Sequence, residues 1–245
     1  MKIAIPNRDE LVNKFLVPLS RINDTCIIKL EEKRFSSTVA TNDGTLIFHC
    51  VFNLADPVEE SNTLNIPHVA KLIKVLNVIP ENYISLNIQS NHLQYSSDQI
   101  KFKYHLLEDG IINSPPIGLD KLKQIKFDTS FNLTANSLTN LIRGSSFASE
   151  TDKIYISSDD DGNVFGELTD HKKSNVDSIR YKIADECTGD VISEPLPVNF
   201  ELFRIISNSK IDMFSVHISV QLNVMLLKGS SENVNMTYVV AGLAE

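Results

Sequence analysis

An order of elements that occurs twice constrains the fold of this chain more than any other feature. Short segments with period-2 alternation of apolar and polar residues dominate the 245 residues, which is typical of antiparallel sheets. Four windows with helical spacing interrupt them, at about residues 8–17, 67–77, 136–146 and 197–208. Two pairs of windows in the same order predict two similar domains, each with two helices packed on antiparallel sheet.

Matching positions support this duplication. The apolar positions of the first window recur in the third at a spacing of 126 residues, and the second window matches the fourth at a spacing of 130. Pro67 and Pro197 stand at the same point of the second match, and each suits the first position of a helix. The strand that begins at Ile84 has its counterpart around Val216. Chance similarity is the alternative, because identity between the halves is low.

A segment rich in glycine, proline and isoleucine separates the halves. Gly110, Pro115 and Pro116 interrupt regular structure there, which predicts domains at 1–108 and 125–245 with a linker at 109–124. The isoleucines are unusual for a solvated linker and indicate that it lies on an apolar surface.

The motifs of common enzyme and cofactor sites are absent from the sequence. No dinucleotide-binding or P-loop glycine pattern occurs, and neither the six histidines nor the three cysteines show the spacing of a zinc site. The run Ser157–Asn163 resembles a calcium loop, but its first and twelfth positions lack carboxylates, so a hairpin turn is predicted. His217 lies in an alternating strand and is not expected to be catalytic. We therefore expect a protein without cofactor or metal that is not an enzyme.

Composition narrows the class further. The net charge of −8 argues against a protein that coats nucleic acid, because phosphate repels an anion. No apolar run approaches the roughly 20 residues of a membrane span, and the N-terminus turns polar too soon for a signal peptide. Cys26, Cys50 and Cys187 are odd in number and widely spaced. A reduced, cytoplasmic protein with no membrane association is predicted.

Basic side chains nevertheless fall on the polar faces of the helical windows. A helix turns about 100° per residue, so the face opposite each apolar stripe can be assigned. The basic residues placed there are Lys14, Lys71, Lys74, Arg143 and Arg204, and Arg21 and Lys210 flank the helices. Such a surface would hold DNA loosely through its phosphates, without an array that reads bases. Ordinary solvation of amphipathic helices is the alternative explanation.

With these features in place, the chain resembles the DNA polymerase sliding clamps, most of all the processivity clamps of T-even-type bacteriophages. The likeness is strongest from Ser178–Asp185 to Tyr238–Ala241, and it includes the helix Phe200–Asn208 and the strand Val224–Lys228. The Asn42–Thr45 hairpin fits more loosely. The resemblance implies an α+β DNA-clamp fold, with three chains closed into a homotrimeric ring of six domains, helices inward and sheets outward.

The resemblance also implies partners and sites. The partners are double-stranded DNA bound independently of sequence, a replicative DNA polymerase and an ATP-driven clamp loader, in the host cytoplasm if the chain is phage-encoded. Sheet edges would join subunits through Lys101, Lys103 and Tyr104 of one chain and Arg180, Tyr181 and Lys182 of the next. An apolar partner peptide would bind beside the linker, at Ile111, Ile112, Pro115, Pro116, Ile117, Tyr238, Val239 and Val240.

Two other functions stay open at this stage. A polymerase accessory subunit of the same fold could bind DNA without encircling it, although that function calls for a denser basic face. A β-rich virion or scaffold protein would show no salt-dependent interaction with DNA.

Overall fold

The computed structural model describes residues 1–113, 115, 124–173 and 175–243. The chain divides into two compact units that exchange short segments. Unit 1 comprises Met1–Asn42, Ile47–Pro116 and Ser230–Met236, and unit 2 comprises Asp43–Leu46, Ile117–Gly229 and Thr237–Glu245. The predicted domains at 1–108 and 125–245 do not have this exchange, because they keep 43–46 with the first half and 230–236 with the second.

The strands of unit 1 pair antiparallel in the orders β1-β6-β7-β8 and β5-β2-β3-β4. Its helices are an N-terminal helix, made of α1, a π-helical stretch and α2, and the later helix α3. The helical bounds are α1 Arg8–Glu10, π-helix Leu11–Leu16, α2 Val17–Ile22 and α3 Val69–Leu76. The strands are β1 Lys2–Ile5, β2 Cys26–Glu31, β3 Arg34–Ala40, β4 Leu46–Asn53, β5 Asn62–Ile66, β6 Ile84–Ile88, β7 His92–Ser96 and β8 Lys101–His105.

Unit 2 repeats this order with one additional strand, β13. Its sheets are ordered β12-β11-β10-β14 and β13-β9-β15-β16-β17. The helices are α4 Ala135–Gly144 and α5 Glu201–Ser207. The strands are β9 Thr129–Thr134, β10 Lys153–Ser158, β11 Val164–Leu168, β12 Ile179–Ala184, β13 Cys187–Gly189, β14 Leu196–Asn199, β15 Met213–Ser219, β16 Val224–Ser230 and β17 Val234–Ala241.

The two units share one topology. Strand β1 pairs with β6 as β9 pairs with β15, with Ile3 opposite Leu86 in unit 1 and Thr129 opposite Ile218 in unit 2. Each unit follows strand, helix, three strands, strand, helix, three strands, apart from the added β13. The predicted duplication, with two helices on antiparallel sheets in each half, is confirmed.

Pro18 explains the irregular N-terminal helix. A proline has no N–H and cannot bond the carbonyl four residues earlier, which is that of Lys14. The helix passes through a π-helical turn just before this point, and the buried Cys50 thiol lies 3.8 Å from the Lys14 carbonyl oxygen. Burial raises the Cys50 pKa well above its ordinary value, so the thiol keeps its proton and can donate.

The predicted helices form, but two of their starts are wrong. Pro197 does not begin a helix, since it lies in β14 opposite Tyr155, and α5 begins at Glu201. Pro67 lies two residues before α3, whose first residue is Val69. Apolar positions of all four windows face the core, among them Phe15, Leu72, Leu141 and Ile206.

The two predicted turns are hairpins. Strands β3 and β4 pair across Asn42–Thr45, with Gly44 at φ 71°. Strands β10 and β11 pair across the acidic loop, where the Asp159 carboxylate accepts hydrogen bonds from the backbone N–H groups of Asp161 and Asn163. The Asp159 carboxylate is thus hydrogen-bonded within the loop itself.

Candidate nucleic-acid interface and partner surfaces

Each unit places its two helices side by side. Helix α3 contacts the N-terminal helix in unit 1, and α4 contacts α5 in unit 2. Five of the predicted basic residues are exposed and form no ion pair with another described residue. They are Arg21, Lys71, Lys74, Arg143 and Lys210.

Lys14, which the sequence predicts to contact DNA, forms an ion pair and does not present a free positive charge. Its ammonium lies 2.7 Å from Glu10 Oε1, and the side chains of Lys14 and Glu10 are only 20% and 11% exposed. Asn233 donates a hydrogen bond to the other oxygen of Glu10 at 2.8 Å. Burial alone would raise the Glu10 pKa, but the hydrogen bonds from Lys14 and Asn233 outweigh it and hold the pKa below its ordinary value. This pair stabilises the unit and neutralises the charge that Lys14 would otherwise offer to a phosphate.

Arg204 is exposed and paired weakly. Its guanidinium contacts Glu201 Oε2 at 3.1 Å, and both side chains are more than half exposed. An exposed pair of this kind contributes only about 0–1 kcal/mol, so a phosphate can compete for the guanidinium. Arg204 therefore remains a candidate contact.

Two residues that are distant in sequence, Asp24 and Tyr104, fix the N-terminus of helix α3. Asp24 accepts hydrogen bonds from the N–H groups of Val69, through its backbone carbonyl, and Ala70, through its carboxylate, both at 2.7 Å. The Tyr104 hydroxyl accepts from the His68 N–H at 3.1 Å and donates to the His68 carbonyl at 2.8 Å. The exposed ammonium groups of Lys71 and Lys74 therefore project from a fixed helix.

The two strands predicted to join subunits are both sheet edges. Strand β8 ends the order β1-β6-β7-β8, and β12 begins the order β12-β11-β10-β14. The Leu106 N–H bonds the Asn91 carbonyl, so by alternation the backbone groups of Lys101, Lys103 and His105 point away from β7. The outer edge of β8 thus has backbone groups that a further strand could pair with.

Two tyrosines of these edges have roles inside their own units. Tyr104 is 5% exposed because it packs against the start of α3, so its side chain is not available at the edge. Tyr181 is half-buried against α4, where a Cβ on Gly144 would lie 2.2 Å from its ring. Arg180 stacks over the Phe165 ring at 4.0 Å, and Lys182 pairs with Asp185 at 2.5 Å.

A groove of about 210 Å³ lies where the linker leaves unit 1. Ile112 and Pro115 line one side, and Thr38, Val39 and Ala40 of β3 line another. Ile111 is 59% exposed beside it. Cys26 also lines the groove, but burial raises its thiol pKa to about 12, which keeps it unreactive.

Three other predicted pocket residues do not line this groove. Tyr238, Val239 and Val240 are buried in β17 and belong to the core. Pro116 and Ile117 lie outside the described residues.

Sequence reasoning overlooked two contributions. Glu10 and Lys14 stand four residues apart in a helix, which is a recognisable signal of an ion pair. The β3 residues of the groove gave no signal, because their alternation indicates only a strand.

No protein-family model matches the sequence, and no curated protein matches it. Among solved structures, that of A. fulgidus PCNA with the C-terminal region of FEN-1 superposes with a TM-score of 0.81 at 13% identity, covering 100% of this chain and 98% of that one. The chain has the DNA sliding-clamp fold. PCNA of Entamoeba histolytica matches with a TM-score of 0.78 at 12% identity, covering 99% of this chain and 98% of that chain. The PCNA2–PCNA3 complex of Sulfolobus tokodaii matches with a TM-score of 0.77 at 12% identity and full coverage of both chains.

The sliding-clamp fold accounts for the paired helices and the two similar units. None of the helices among the described residues has the length and apolar character that a membrane span requires.

Proposed function

We propose that this chain is a sliding clamp that encircles duplex DNA and tethers a replicative DNA polymerase for processive synthesis. The observation that carries the proposal is the presence of exposed basic residues on the helix pairs of both units of a clamp fold, in a chain of net charge −8. The sequence resemblance adds to this proposal a clamp of the T-even bacteriophage type.

A sparse basic surface suits this function. Lysine and arginine side chains contact phosphates without reading sequence, so the protein can move along the duplex. A closed ring does not need to bind DNA tightly, because a duplex without a free end leaves only when the ring opens. An ATP-driven loader would then be required to open it.

Ring closure is proposed to use the two free edges. Strand β8 of one chain would pair with β12 of the next, which satisfies backbone groups that each chain alone leaves at a sheet edge. Three chains joined in this way would supply the six domains of the ring.

Partner segments are proposed to dock in the groove beside the linker. The A. fulgidus structure contains the C-terminal region of FEN-1 bound to PCNA, which makes a peptide ligand a reasonable expectation here. Ile111, Ile112 and Pro115 are the apolar groups that a peptide side chain would meet.

Retention on DNA of different topology tests the encirclement directly. The protein, loaded with its cognate loader, should stay on a nicked circle through a high-salt wash and be lost when the circle is linearised. Equal retention on both forms would favour the non-encircling accessory subunit. A native mass of one chain, with no DNA interaction, would favour the scaffold alternative.

Charge reversal tests the helix faces. Lys71→Glu, Lys74→Glu, Arg143→Glu and Arg204→Glu together should leave the circular dichroism spectrum unchanged and abolish the increase in polymerase run length. The matched control reverses four exposed lysines outside the helices: Lys29, Lys33, Lys172 and Lys228. Equal losses in both variants would contradict the assignment of the helix faces to DNA.

A separate experiment tests the groove. Ile111→Asp with Ile112→Asp should weaken capture of the polymerase more than assembly of the ring, measured by pull-down and by native mass. Val191→Asp, which changes an exposed valine in unit 2, is the control. Loss of assembly before loss of capture would make the linker an interface element instead.

A further inference from the structure

The two units differ at one sheet edge that their shared topology makes equivalent. In unit 2 the outer edge of β9 is covered by β13, with Thr188 opposite Ser130 and Gly189 opposite Thr129. The Asp190 N–H extends this pairing to the Asp128 carbonyl at 3.0 Å. The chain thus adds a short extended segment to this edge itself.

In unit 1 the equivalent edge is that of β1. The spacing of 126 residues that relates the first helix of each unit also relates Lys2 to Asp128 and Ala4 to Ser130. Met1 and Ile88 exchange backbone hydrogen bonds, so by alternation the backbone groups of Lys2 and Ala4 point away from β6. These are the groups that β13 would meet if unit 1 had such a strand.

The covering segment stops short in unit 1. The Ala55 N–H bonds the Ala4 carbonyl at 3.2 Å, but Pro57 follows, and the Val58 N–H bonds the Glu32 carbonyl at 2.6 Å instead. Proline cannot donate to a ladder, so the chain turns away from β1 at this point. The outward backbone groups of Lys2 have no partner among the described backbone hydrogen bonds.

A groove occupies the position where the strand is missing. Two adjoining recesses of about 270 and 310 Å³ share Lys2, Pro57 and Val58 as lining. Ala4 and Ser85 form a floor of small side chains beside Tyr83, whose ring is 59% exposed.

The charge of the groove is acidic. Asp56, Glu59 and Glu60 line it, are exposed and form no ion pair with another described residue. Lys2 is the basic side chain of the lining. An arginine placed here would meet carboxylates and the face of Tyr83 together.

We propose that this groove binds a short, extended, basic segment of a partner protein, which adds to the edge of β1 as an antiparallel strand. One of its N–H groups bonds the Lys2 carbonyl as Asp190 bonds Asp128 in unit 2, and the outward Lys2 N–H donates to one of its carbonyls. Its basic side chains lie between Asp56, Glu59 and Glu60. Main-chain pairing supplies affinity, and the carboxylates select for positive charge. The groove shares no lining residue with the linker groove, and the proposal does not depend on ring formation or on DNA.

A labelled peptide of alternating valine and arginine is the probe, with fluorescence anisotropy on the full chain as the measurement. Lys2→Pro removes the outward N–H at a position where an edge strand tolerates proline, and should weaken binding about tenfold. Glu59→Gln with Glu60→Gln should weaken it to a similar extent and reduce its salt dependence. Asp185→Asn with Glu186→Gln, an exposed acidic pair in unit 2, is the control and should bind as the unchanged protein does.

A second peptide separates strand addition from attraction by charge alone. The same sequence carrying N-methyl groups on alternate amides keeps its charge and loses the ladder, and should bind at least tenfold more weakly. Equal binding of the two peptides, or an unchanged affinity in the Lys2→Pro variant, overturns the proposal. Absence of binding by the unmodified peptide overturns it as well, and thermal unfolding curves confirm that each variant is folded.

Discussion

At the scale of single residues, Glu10 is the clearest case of a charge used for stability. Its carboxylate bonds Lys14 and Asn233 and is mostly buried. We expect Glu10→Gln to lower the free energy of unfolding by about 1–3 kcal/mol at neutral pH, because hydrogen bonds to a charged group are lost. The exposed pair Glu31–Arg34, at 3.9 Å, offers a control, since Glu31→Gln should change it by less than about 1 kcal/mol.

The pH dependence of this effect follows from the lowered Glu10 pKa. A carboxylate whose pKa is lower in the folded state stabilises the protein above its unfolded pKa, here near 4.5. That stabilisation disappears as the pH falls through the lower folded-state value. Urea unfolding should therefore show that the unchanged protein and the Glu10→Gln variant differ less in their free energy of unfolding at about pH 3 than at neutral pH. A difference in the free energy of unfolding that is the same at both pH values would mean that Glu10 stabilises the protein through packing.

Replacing Gly144 by alanine should change the stability of the chain in the direction opposite to that expected for a free helix. In a free helix, alanine for glycine stabilises by about 1 kcal/mol, but here the new Cβ would lie 2.2 Å from the Tyr181 ring. Gly144→Ala should therefore destabilise the chain by about 1–3 kcal/mol in urea unfolding. The same change in a Tyr181→Ser background should be neutral or stabilising. A loss of equal size in both backgrounds would mean that Tyr181 is not the obstacle.

At the scale of elements, the start of α3 depends on Asp24 rather than on a neighbouring side-chain cap. Asp24→Ala removes the acceptor for the Ala70 N–H and should cost about 1 kcal/mol. Hydrogen exchange should show faster exchange at the first turn of α3 and unchanged rates in α4. The exposed Asp98 is the matched position, and Asp98→Ala should leave both helices unaffected.

Edge strand β8 allows a backbone test of assembly. Lys103→Pro removes an N–H that points away from β7, so the sheet of unit 1 keeps its own ladder. If β8 joins neighbouring chains, this variant should weaken the assembly measured by sedimentation. Lys103→Ala retains the N–H and controls for the lost charge. Identical sedimentation of the two variants would count against pairing through β8.

The sequence predicted most elements, and the exceptions have physical reasons. Alternation located β2 and β6 because one face of each is buried, and β12 because one of its faces is half-buried and the other exposed. At the short strand β14 the sequence predicts the start of a helix instead, because proline suits both a helix start and certain strand positions. Strand β9 also alternates, with Thr129, Phe131 and Leu133 on one face, but the alternation is too short to stand out in the sequence.

The candidate sites were less predictable than the fold. Helical periodicity placed Lys71, Lys74 and Arg143 on exposed faces, as the structure has them. It could not show that Tyr238 is buried or that β3 contributes to the linker groove, since both depend on contacts between distant segments. The groove at β1 also depends on a comparison between the two units that periodicity alone does not provide.

At the scale of the whole molecule, DNA binding and assembly should respond differently to salt. Phosphate contacts release counterions, so the lifetime of the protein on linear DNA should fall as salt rises. Backbone pairing between edges carries no such dependence. Neutralising Lys71 and Lys74 to Gln should flatten the salt dependence of DNA retention and leave the native mass unchanged. A native mass that follows the same salt curve as DNA retention would indicate an interface dominated by charge.

The placement of the free edges on different units sets the geometry of any assembly. Strand β8 belongs to the first unit and β12 to the second, so a joint between them is head-to-tail, and every added copy presents a new open end. Such a joint stops growing only when the rotation from one copy to the next brings the last β12 back to the first β8. The number of copies is then fixed by an angle, and a substitution that bends this joint by a few degrees would produce an open spiral from fully folded chains.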